Sequence, residues 1–500
     1  MATKNQTQSM SRSRFLQEYR LEVEKAFLTN GRDADWAPSN GPAGPRFWGE
    51  EDKCLELAHD DPNKSNVPSA AMAASPDNAY LAVATNSVIR IYEMETKQQR
   101  TELVGHIGNV GTLYFVAGHA STSAAVDVSQ VRKKYVLLSE GSKVGGADGE
   151  IIMWDLNSNG KCSSSTTMPF AVKALTDKAM GAIADDLTVH HELAAKGLET
   201  IHAGLADMLK TADARNRAHK LPHVDGHFPT FGSTVVSHDG QRVIYVIHGV
   251  STQSGMRPPD ELPQIVIFDI VSRSERFRLK GHTDAIMWAA WSPDDKTIAI
   301  ASWDQTFSLW DAETGACTNI IGPTDGQNWA GTFSPDGQHA LLSGGSPTKV
   351  AIYDVQTGKE VTRLNADGRS GWMRTVSWNV QTNAIALYFD ETQSAQLWCP
   401  YSEQPDEGLE ILKLKDDGSM LDQFCSFTLI KWVDDGKKLV VRTNEDSLLV
   451  WEPERHVQWR FQRPFGTALE TYVAGDVLFR SETQTLLSLD GDGKVREWKL

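Results

Sequence analysis

The stretch from Arg276 to Asp311 reads RFRLKGHTDAIMWAAWSPDDKTIAIASWDQTFSLWD and alternates turn residues with short apolar runs. Its loop and turn signals stand at Gly281-His282, at Ser292-Pro293-Asp294-Asp295 and at Ser302-x-Asp304. The runs between them are Ile286 to Trp291, Ile298 to Ser302 and Phe307 to Trp310. Turn residues that separate β-rich runs of about 4–8 residues are typical of consecutive antiparallel hairpins. The stretch therefore predicts one small antiparallel sheet.

This stretch resembles a WD repeat, the unit that forms one blade of a β-propeller. The resemblance implies a structural hydrogen-bond network inside the blade, whose members here are His282, Ser302, Asp304 and Trp310. A Ser, His and Asp set could also suggest hydrolytic chemistry. The recurrence of these residue types at blade spacing, with Trp as a fourth member, favours the structural role.

A second copy of the pattern keeps His106, Asp148 and Trp154 but has Gly146 where the hydroxyl is expected. Copies of the third-strand aromatic recur along the chain at Tyr92, Trp154, Phe268, Trp310, Tyr353, Trp398, Trp451 and Trp498. Most of their intervals are close to the ~40–45 residues of a propeller blade. We expect an all-β WD-repeat propeller over residues 53–500, with eight blades and with seven left open.

The two ends of the repeat region complement each other. Lys53 to Asp60, KCLELAHD, resembles the outer strand of a blade, and the final KVREWKL, Lys494 to Leu500, matches a third strand. We expect Cys54 to Ala58 to complete the last blade and to close the ring, which would remove exposed sheet edges.

Two segments lie outside the repeats. Residues 1–50 contain an apolar helical stripe over Ser13 to Leu28, followed by a Gly/Pro-rich linker. The insertion 169–222, in the top-face loop after blade two, carries apolar residues at steps of three and four, which predicts a helix or a helix pair. That stripe could pack on the propeller, pair with a second copy of the chain or bind a partner.

Composition limits the function. The net charge of −16 disfavours nucleic-acid binding, because a polyanion would be repelled. Five cysteines without a CxxC pair and no secretory h-region favour an intracellular protein, cytoplasmic or nuclear. No run of about 18 apolar residues exists, so we expect no membrane span.

Candidate metal and catalytic residues are few. His219, His223 and His227 recur at a spacing that could share a zinc ion, but Pro222 interrupts the helix that would align them. We expect no metal, no cofactor and no catalytic site.

The resemblance implies a non-catalytic scaffold that binds other proteins or peptides on its top face. The positions that match exposed top-face loops are Asp284, Trp303, Arg369 and Trp372. Some ubiquitin-ligase receptors of this family carry an Arg two residues after Trp-Asp. Here Asn157 and Glu313 stand at those positions, which counts against that function. The alternative is an enzyme, or a small-ligand or metal-binding propeller, that uses the central channel.

Overall fold

The structure is a computed structural model. It describes residues 27–29, 32–33, 35–36, 51–56, 70–106, 108–118, 134–141, 149–162, 223–248, 262–345, 348–364, 371–389, 394–402, 410–414, 427–443, 448–455, 457–461, 477–490 and 494–499. The chain divides into two compact units. One comprises residues 1–70 with 226–500, and the other comprises residues 71–225. The regular secondary structure of the described residues is almost entirely strand, as the sequence predicts, with one short 3-10 helix at Asp434–Gly436.

The N-terminal part of the larger unit contributes four short strands: β1 (Phe27–Thr29), β2 (Arg32–Asp33), β3 (Asp35–Trp36) and β4 (Glu51–Glu56). The predicted helix is wrong at its last two residues, because Phe27 and Leu28 belong to strand β1. The pair Thr29↔Arg32 leaves Asn30-Gly31 between the partners, a dipeptide that favours two-residue hairpins. The rest of the predicted helix and the insertion 169–222 lie outside the described residues.

The smaller unit contains two antiparallel sheets. The first sheet comprises β5 (Ala70–Ala74), β6 (Tyr80–Thr85), β7 (Val88–Glu93) and β8 (Gln99–Val104). The second sheet comprises β9 (Val110–Gly118), β10 (Lys134–Gly141), β11 (Glu150–Leu156) and β12 (His223–Asp225). One apolar core, which includes Ala82, Ile91, Leu137 and Trp154, joins these two sheets.

The larger unit contains six further sheets. The third sheet comprises β13 (Arg242–Ile247), β14 (Gln264–Asp269) and β15 (Ser274–Lys280). The fourth comprises β16 (Ile286–Trp291), β17 (Thr297–Ser302), β18 (Phe307–Asp311) and β19 (Cys317–Ile321). The fifth comprises β20 (Asn328–Phe333), β21 (His339–Gly344), β22 (Lys349–Asp354) and β23 (Glu360–Leu364).

The last three sheets each include an N-terminal strand. The sixth comprises β24 (Met373–Trp378), β25 (Ile385–Phe389), β26 (Ser394–Trp398) and β27 (Glu410–Leu414), extended at its edge by β1 and β2. The seventh comprises β28 (Phe427–Val433), β29 (Lys438–Thr443), β30 (Leu448–Glu452) and β31 (Val457–Arg460), extended by β3. The eighth comprises β32 (Val477–Arg480), β33 (Thr485–Leu489), β34 (Lys494–Lys499) and β4.

Strand β4 pairs with β34 as the sequence predicts, with Leu55 opposite Val495 and Cys54 opposite Arg496. Each of the eight predicted aromatic anchors also lies on a different sheet. The blade count of eight and the closed ring, which the sequence predicts from the recurring aromatics and from the run at residues 53–60, both stay predictions.

The turn between the first two strands has a recurring construction, well seen in the fourth sheet. Ser292 Oγ donates to Asp294 Oδ1 at 2.7 Å and accepts from Thr297 N at 2.9 Å. Ser75, Ser237 and Ser334 make the same bond to the Asp two residues on. A serine hydroxyl that bonds both the turn and the next strand fixes the hairpin register.

Neighbouring sheets of the larger unit pack face to face through apolar clusters. Trp288 and Phe307 of the fourth sheet meet Leu342 of the fifth in one cluster. Similar clusters join the fifth to the sixth, the sixth to the seventh and the seventh to the eighth sheet. The cores therefore lie between sheets, and the loops at the strand ends remain open for other contacts.

Candidate interaction surface and buried polar network

The fourth sheet holds a chain of four hydrogen-bonded side chains. Trp310 Nε1 donates to Ser308 Oγ at 2.7 Å, and Ser308 Oγ lies 2.7 Å from His282 Nε2. His282 Nδ1 lies 2.8 Å from Asp304 Oδ2. Because the ionised Asp304 carboxylate only accepts, His282 Nδ1–H donates to it, and Nε2 of the neutral imidazole then accepts from the Ser308 hydroxyl. The tautomer of His282 therefore follows from Asp304, and Trp310 N–H donates to a remaining lone pair of Ser308 Oγ.

The hydroxyl in this chain belongs to Ser308 and not to Ser302, the residue predicted from the sequence. Ser302 Oγ instead donates to the carbonyl of Asp284 at 3.0 Å and accepts from Asp304 N at 3.1 Å, so it shapes the turn. The reason is the alternation of side chains along a strand. Ser308 lies two residues before Trp310 on β18 and shares its face, whereas Ser302 ends β17.

The second sheet has the same arrangement. Trp154 Nε1 donates to Ser139 Oγ at 2.7 Å, and Ser139 Oγ lies 2.7 Å from His106 Nε2. A Cβ on Gly141 would lie 2.3 Å from His106 Nδ1, which explains a glycine beneath the ring. Gly146 and Asp148 lie outside the described residues. The hydroxyl therefore comes from Ser139 on β10.

Burial and hydrogen bonding shift two pKa values in these networks. Burial lowers the pKa of His106 to about 4, so this ring is neutral at physiological pH. Burial alone would raise the pKa of Asp304. The hydrogen bonds from His282, Thr306 and Thr283 outweigh burial and lower the pKa to about 2. Asp304 is therefore an anion held by donors.

The Asp304, His282 and Ser308 set has the connectivity of a hydrolytic triad but no access to a substrate. Ser308 and His282 are only 3 % and 5 % exposed. The hydroxyl is already bonded on two sides, since it accepts from Trp310 Nε1 and its hydrogen is used by His282 Nε2. A nucleophile must reach a substrate carbonyl, so this set stabilises the fold.

A cluster of four aromatic rings lies where the sheets begin their first strands. We call Phe231, Trp303, Trp329 and Trp372 the aromatic cluster. Trp372 stacks on Trp329 with ring centroids 4.4 Å apart and planes 14° apart. Trp303 and Phe231 contact Trp329 at steep angles, with centroid distances of 5.2 and 5.7 Å. Trp329 is buried, whereas Trp372 is 45 % exposed.

The structure thus brings together two of the four residues predicted for the top face, Trp303 and Trp372. Asp284 lies in the loop before β16, partly buried, and its Oδ1 accepts from Ala285 N at 2.7 Å. Arg369 lies outside the described residues. The sequence did not single out Trp329, although it is the ring that connects the others.

Trp329 reaches this position because of a β-bulge. The register of β20 with β21 shifts between Asn328 and Ala330, so Trp329 is the extra residue. Equivalent shifts occur in the fourth, sixth and seventh sheets, with the extra residues Met287, Arg374 and Thr428. A bulge bends the strand and redirects a side chain. Four successive sheets therefore present one redirected side chain each.

Comparison with known proteins agrees with these features. The family description "WD domain, G-beta repeat" matches residues 273–311, which span β15 to β18 and contain the His282 network. The chain therefore contains a WD repeat at residues 273–311.

Similarity to individual proteins is partial. This WD-repeat chain is 32 % identical over 110 residues to THO complex subunit 3 of Arabidopsis thaliana, which covers 22 % of the chain and 33 % of that protein. It is 30 % identical over 113 residues to the ribosome biogenesis protein WDR12 homolog of Brugia malayi, covering 22 % and 26 %. It is 21 % identical over 224 residues to pre-mRNA-processing factor 17 of Homo sapiens, covering 44 % and 36 %. The chain thus matches about a third or less of the length of its first relatives.

Glu313 and Asn157 stand at the positions where some ubiquitin-ligase receptors carry an arginine, and both make other contacts here. Glu313 Oε1 accepts from Arg242 Nη1 at 2.7 Å, and the Arg242 guanidinium lies 4.8 Å from the Trp291 ring centroid. Asn157 Oδ1 accepts from the backbone N–H groups of Asn159 and Lys161. Asn157 therefore stabilises its own turn, whereas Glu313 links the fourth sheet to Arg242 of the third sheet.

Metal and membrane features of this WD-repeat protein can be assessed only over the described residues. Within those ranges no group of three or more His, Cys, Asp or Glu side chains is placed to hold a metal ion. His223 lies in strand β12 and His219 lies outside the described ranges, so a helical alignment of the three histidines is not seen. Helices long and apolar enough to span a bilayer are also absent from the part of the chain that is described.

Proposed function

We propose that this WD-repeat protein is a non-catalytic scaffold that binds other proteins or peptides at the aromatic cluster. The observation that carries the proposal is the exposed Trp372, which rests on the buried Trp329. A large aromatic side chain held rigid before binding loses little conformational entropy in a complex, and tryptophan is enriched among residues that dominate binding energy.

The network supports the non-catalytic part of the proposal, since its serine and histidine are buried and saturated. The relatives support the scaffold part through their names, which place one in a complex, one in ribosome biogenesis and one in pre-mRNA processing. A scaffold of this kind works in the nucleus or the cytoplasm without binding nucleic acid itself. The insertion 169–222 remains a second proposed binding surface, for a partner or for another copy of the chain.

The test is affinity purification of the full chain from its native cell, followed by mass spectrometry. Three versions are compared: the natural chain, Trp372→Ala and Tyr401→Ala. Tyr401 is a matched control because it is 48 % exposed and contacts Trp378, which ends β24, whereas Trp372 precedes the start of that strand.

We expect a stoichiometric partner that is lost from Trp372→Ala and kept by Tyr401→Ala. A partner retained equally by all three versions would exclude this surface, and deletion of 169–222 would then test the insertion. If no version retains a partner, the scaffold function is wrong, and a search for a ligand of the central channel becomes the next experiment.

A further inference from the structure

We propose that residues 27–36, which we call the exchange segment, also pair with the sheet edges of a second copy of this chain and so form a strand-exchanged dimer. The surface concerned consists of the edges of β27 in the sixth sheet and β31 in the seventh sheet. In this structure β1 and β3 of the same chain pair with these edges. The inference goes beyond partner binding at the aromatic cluster and does not depend on it.

The exchange segment is an addition to two sheets that are complete without it. The fourth and fifth sheets contain four strands each and end at β19 and β23. The sixth and seventh sheets also reach four strands before β1, β2 and β3 are added. Strand β4 differs, because it supplies the fourth strand of the eighth sheet. The exchange segment therefore binds its two sheets as a ligand does, at edges that form in its absence.

The pairing of the exchange segment is short. Phe27 lies opposite Leu414 and Leu28 opposite Lys413, and these are the two residue pairs between β1 and β27. Strand β3 pairs with β31 through two residues as well, in parallel orientation. Strand β4, in contrast, pairs with β34 through five residues. Edges with few contacts open locally at low free energy while the core stays folded, so the exchange segment can leave its edges while β4 remains in place.

The link between β3 and β4 is long enough for an exchange. It comprises residues 37–50, APSNGPAGPRFWGE, which include three prolines and three glycines. An extended chain of this length spans at most about 45–50 Å, several times the ~10 Å between packed sheets. Strand β4 can therefore hold the link on one molecule while the exchange segment reaches an edge of another.

Exchange between two copies replaces each residue pair by an identical one. Strands β1 and β2 pair with each other, so they move together as one hairpin. Each copy donates a segment and accepts one, which makes the contact symmetric and closes it at two molecules. Another extended peptide could offer main-chain hydrogen bonds to one edge. A second copy matches both edges and both registers at once, and it is therefore the partner that fits this surface.

Concentration and charge limit the exchange. A linked segment competes for its own edges at an effective concentration of about 1 mM, so the dimer becomes abundant only as the chain concentration approaches that value. The net charge of −16 also repels a second copy. At an ionic strength of about 0.15 M this repulsion is screened beyond about 8 Å. We therefore expect exchange in concentrated protein at physiological salt.

The test traps the exchange as a disulfide bond between full-length chains. Serine first replaces the exposed Cys317 and Cys399 in every version. One preparation carries Leu28→Cys, and an isotope-labelled preparation carries Lys413→Cys, because these positions lie opposite each other. The two are mixed at about 0.1 mM, a tenth of the effective concentration, and oxidised. Mass spectrometry then measures the peptides in which position 28 of an unlabelled chain is bonded to position 413 of a labelled chain.

Two controls define the background. A single chain with both Leu28→Cys and Lys413→Cys reports the pairing inside one molecule and shows that the substitutions preserve it. In the second control the labelled chain carries Ile320→Cys in place of Lys413→Cys. Ile320 lies on β19, at the edge of the fourth sheet, and is 69 % exposed, so this version reports chance collisions of accessible thiols.

We expect the doubly substituted chain to form its bond within one molecule. In the mixtures, the bond between positions 28 and 413 should exceed the bond between positions 28 and 320 by at least about tenfold, because the exchanged pairing holds two thiols together. Its yield should rise with chain concentration, and light scattering of the concentrated natural chain should detect a dimer.

Three outcomes would each overturn the inference. They are equal yields with positions 413 and 320, a bond that forms only within one chain, and no bond even in the doubly substituted chain. The purification experiment with Trp372→Ala is independent of these results, because residues 27–36 are unchanged in it. Failure of strand exchange therefore leaves the proposed scaffold function in place.

Discussion

Ser308 on β18 and Ser139 on β10 supply the same hydroxyl from different strands. In the second sheet Ser139 lies opposite Ile152, two residues before Trp154. In the fourth sheet the corresponding pair is Ile300↔Ser308, so the serine has moved to the tryptophan's own strand. The eighth sheet has the same arrangement as the second sheet. Ser488 lies opposite Arg496, and Ser488 Oγ accepts from Trp498 Nε1 at 2.9 Å. The network requires a hydroxyl at this cross-strand pair, and either member can carry it.

Ser308→Ala should destabilise the fold by about 1–3 kcal/mol, because two buried partners lose their hydrogen bond. The measurement is the free energy of unfolding from denaturant titration. Ser272→Ala is the matched control, since the Ser272 hydroxyl bonds only another exposed serine, and it should change stability by less than about 0.5 kcal/mol. Equal effects of the two substitutions would mean that the network contributes nothing beyond a surface hydroxyl.

Stability should fall between pH 6.5 and pH 4 because of His106. Its pKa is lowered to about 4 in the folded state, so the unfolded chain binds the proton first as pH falls. The contribution is complete above pH 6.5 and declines to its loss near pH 4, by up to about 3 kcal/mol. Denaturant titrations at pH 7, 6 and 5 measure it.

His106→Gln should flatten that pH dependence and lower stability at pH 7. Asp304 acts in a separate window, because its pKa is lowered to about 2. Its contribution is present above about pH 3.8 and is lost as pH falls toward 2. A His106→Gln protein with the natural slope between pH 7 and 5 would contradict the assignment to His106.

Substitutions of Trp329 and Trp372 should have different effects on the free energy of unfolding and on partner binding. Trp329→Ala removes a buried ring that contacts three others and should cost about 3–5 kcal/mol. Trp372→Ala removes an exposed ring and should cost much less while abolishing partner capture. Unfolding titrations and purification yields, compared on the same preparations, check both. Similar stabilities for the two variants would show that Trp329 does not support the surface.

N-terminal truncation should remove the N-terminal strands in steps and expose the edges of the strands with which they pair. A chain that starts at residue 27 keeps every described strand and should behave as the full chain does. A chain that starts at residue 50 loses β1, β2 and β3, which uncovers the edges of β27 and β31. A chain that starts at residue 57 also loses β4 and exposes β34.

Exposed strand edges promote association. Aggregation, followed by light scattering, should therefore increase in the order of these truncations. Equal aggregation of all three chains would contradict a protective role of the N-terminal strands.

The repeat signals in the sequence were local, and so they predicted the sheets well. Strand β16 has the predicted bounds Ile286–Trp291, and each aromatic anchor found its own sheet. Residues whose structure depends on a distant partner were not predictable. Phe27 and Leu28 fit a helical stripe, but β27 offers them an edge to pair with.

The site was predictable only in part for a similar reason. Ser302 ends β17 and Ser308 lies on β18, and only the pairing of these two strands shows which hydroxyl reaches Trp310 and His282. The position of Trp329 in the aromatic cluster depends on a β-bulge, and no turn residue in the sequence predicts that bulge. Trp303 and Trp372 could be predicted as top-face residues because the repeat pattern places them beside turn residues in the sequence.

The pairing of β4 with β34 has a consequence for biosynthesis. Glu56 is synthesised 438 residues before its partner Lys494 (494 − 56). At about 5–20 residues per second, β4 waits on the order of 20 to 90 s for that strand. During that interval the nascent chain carries β4 without its partner strand, and the eighth sheet can be completed only after β34 has been made. An unpaired strand can associate with the strand edges of other chains during that interval.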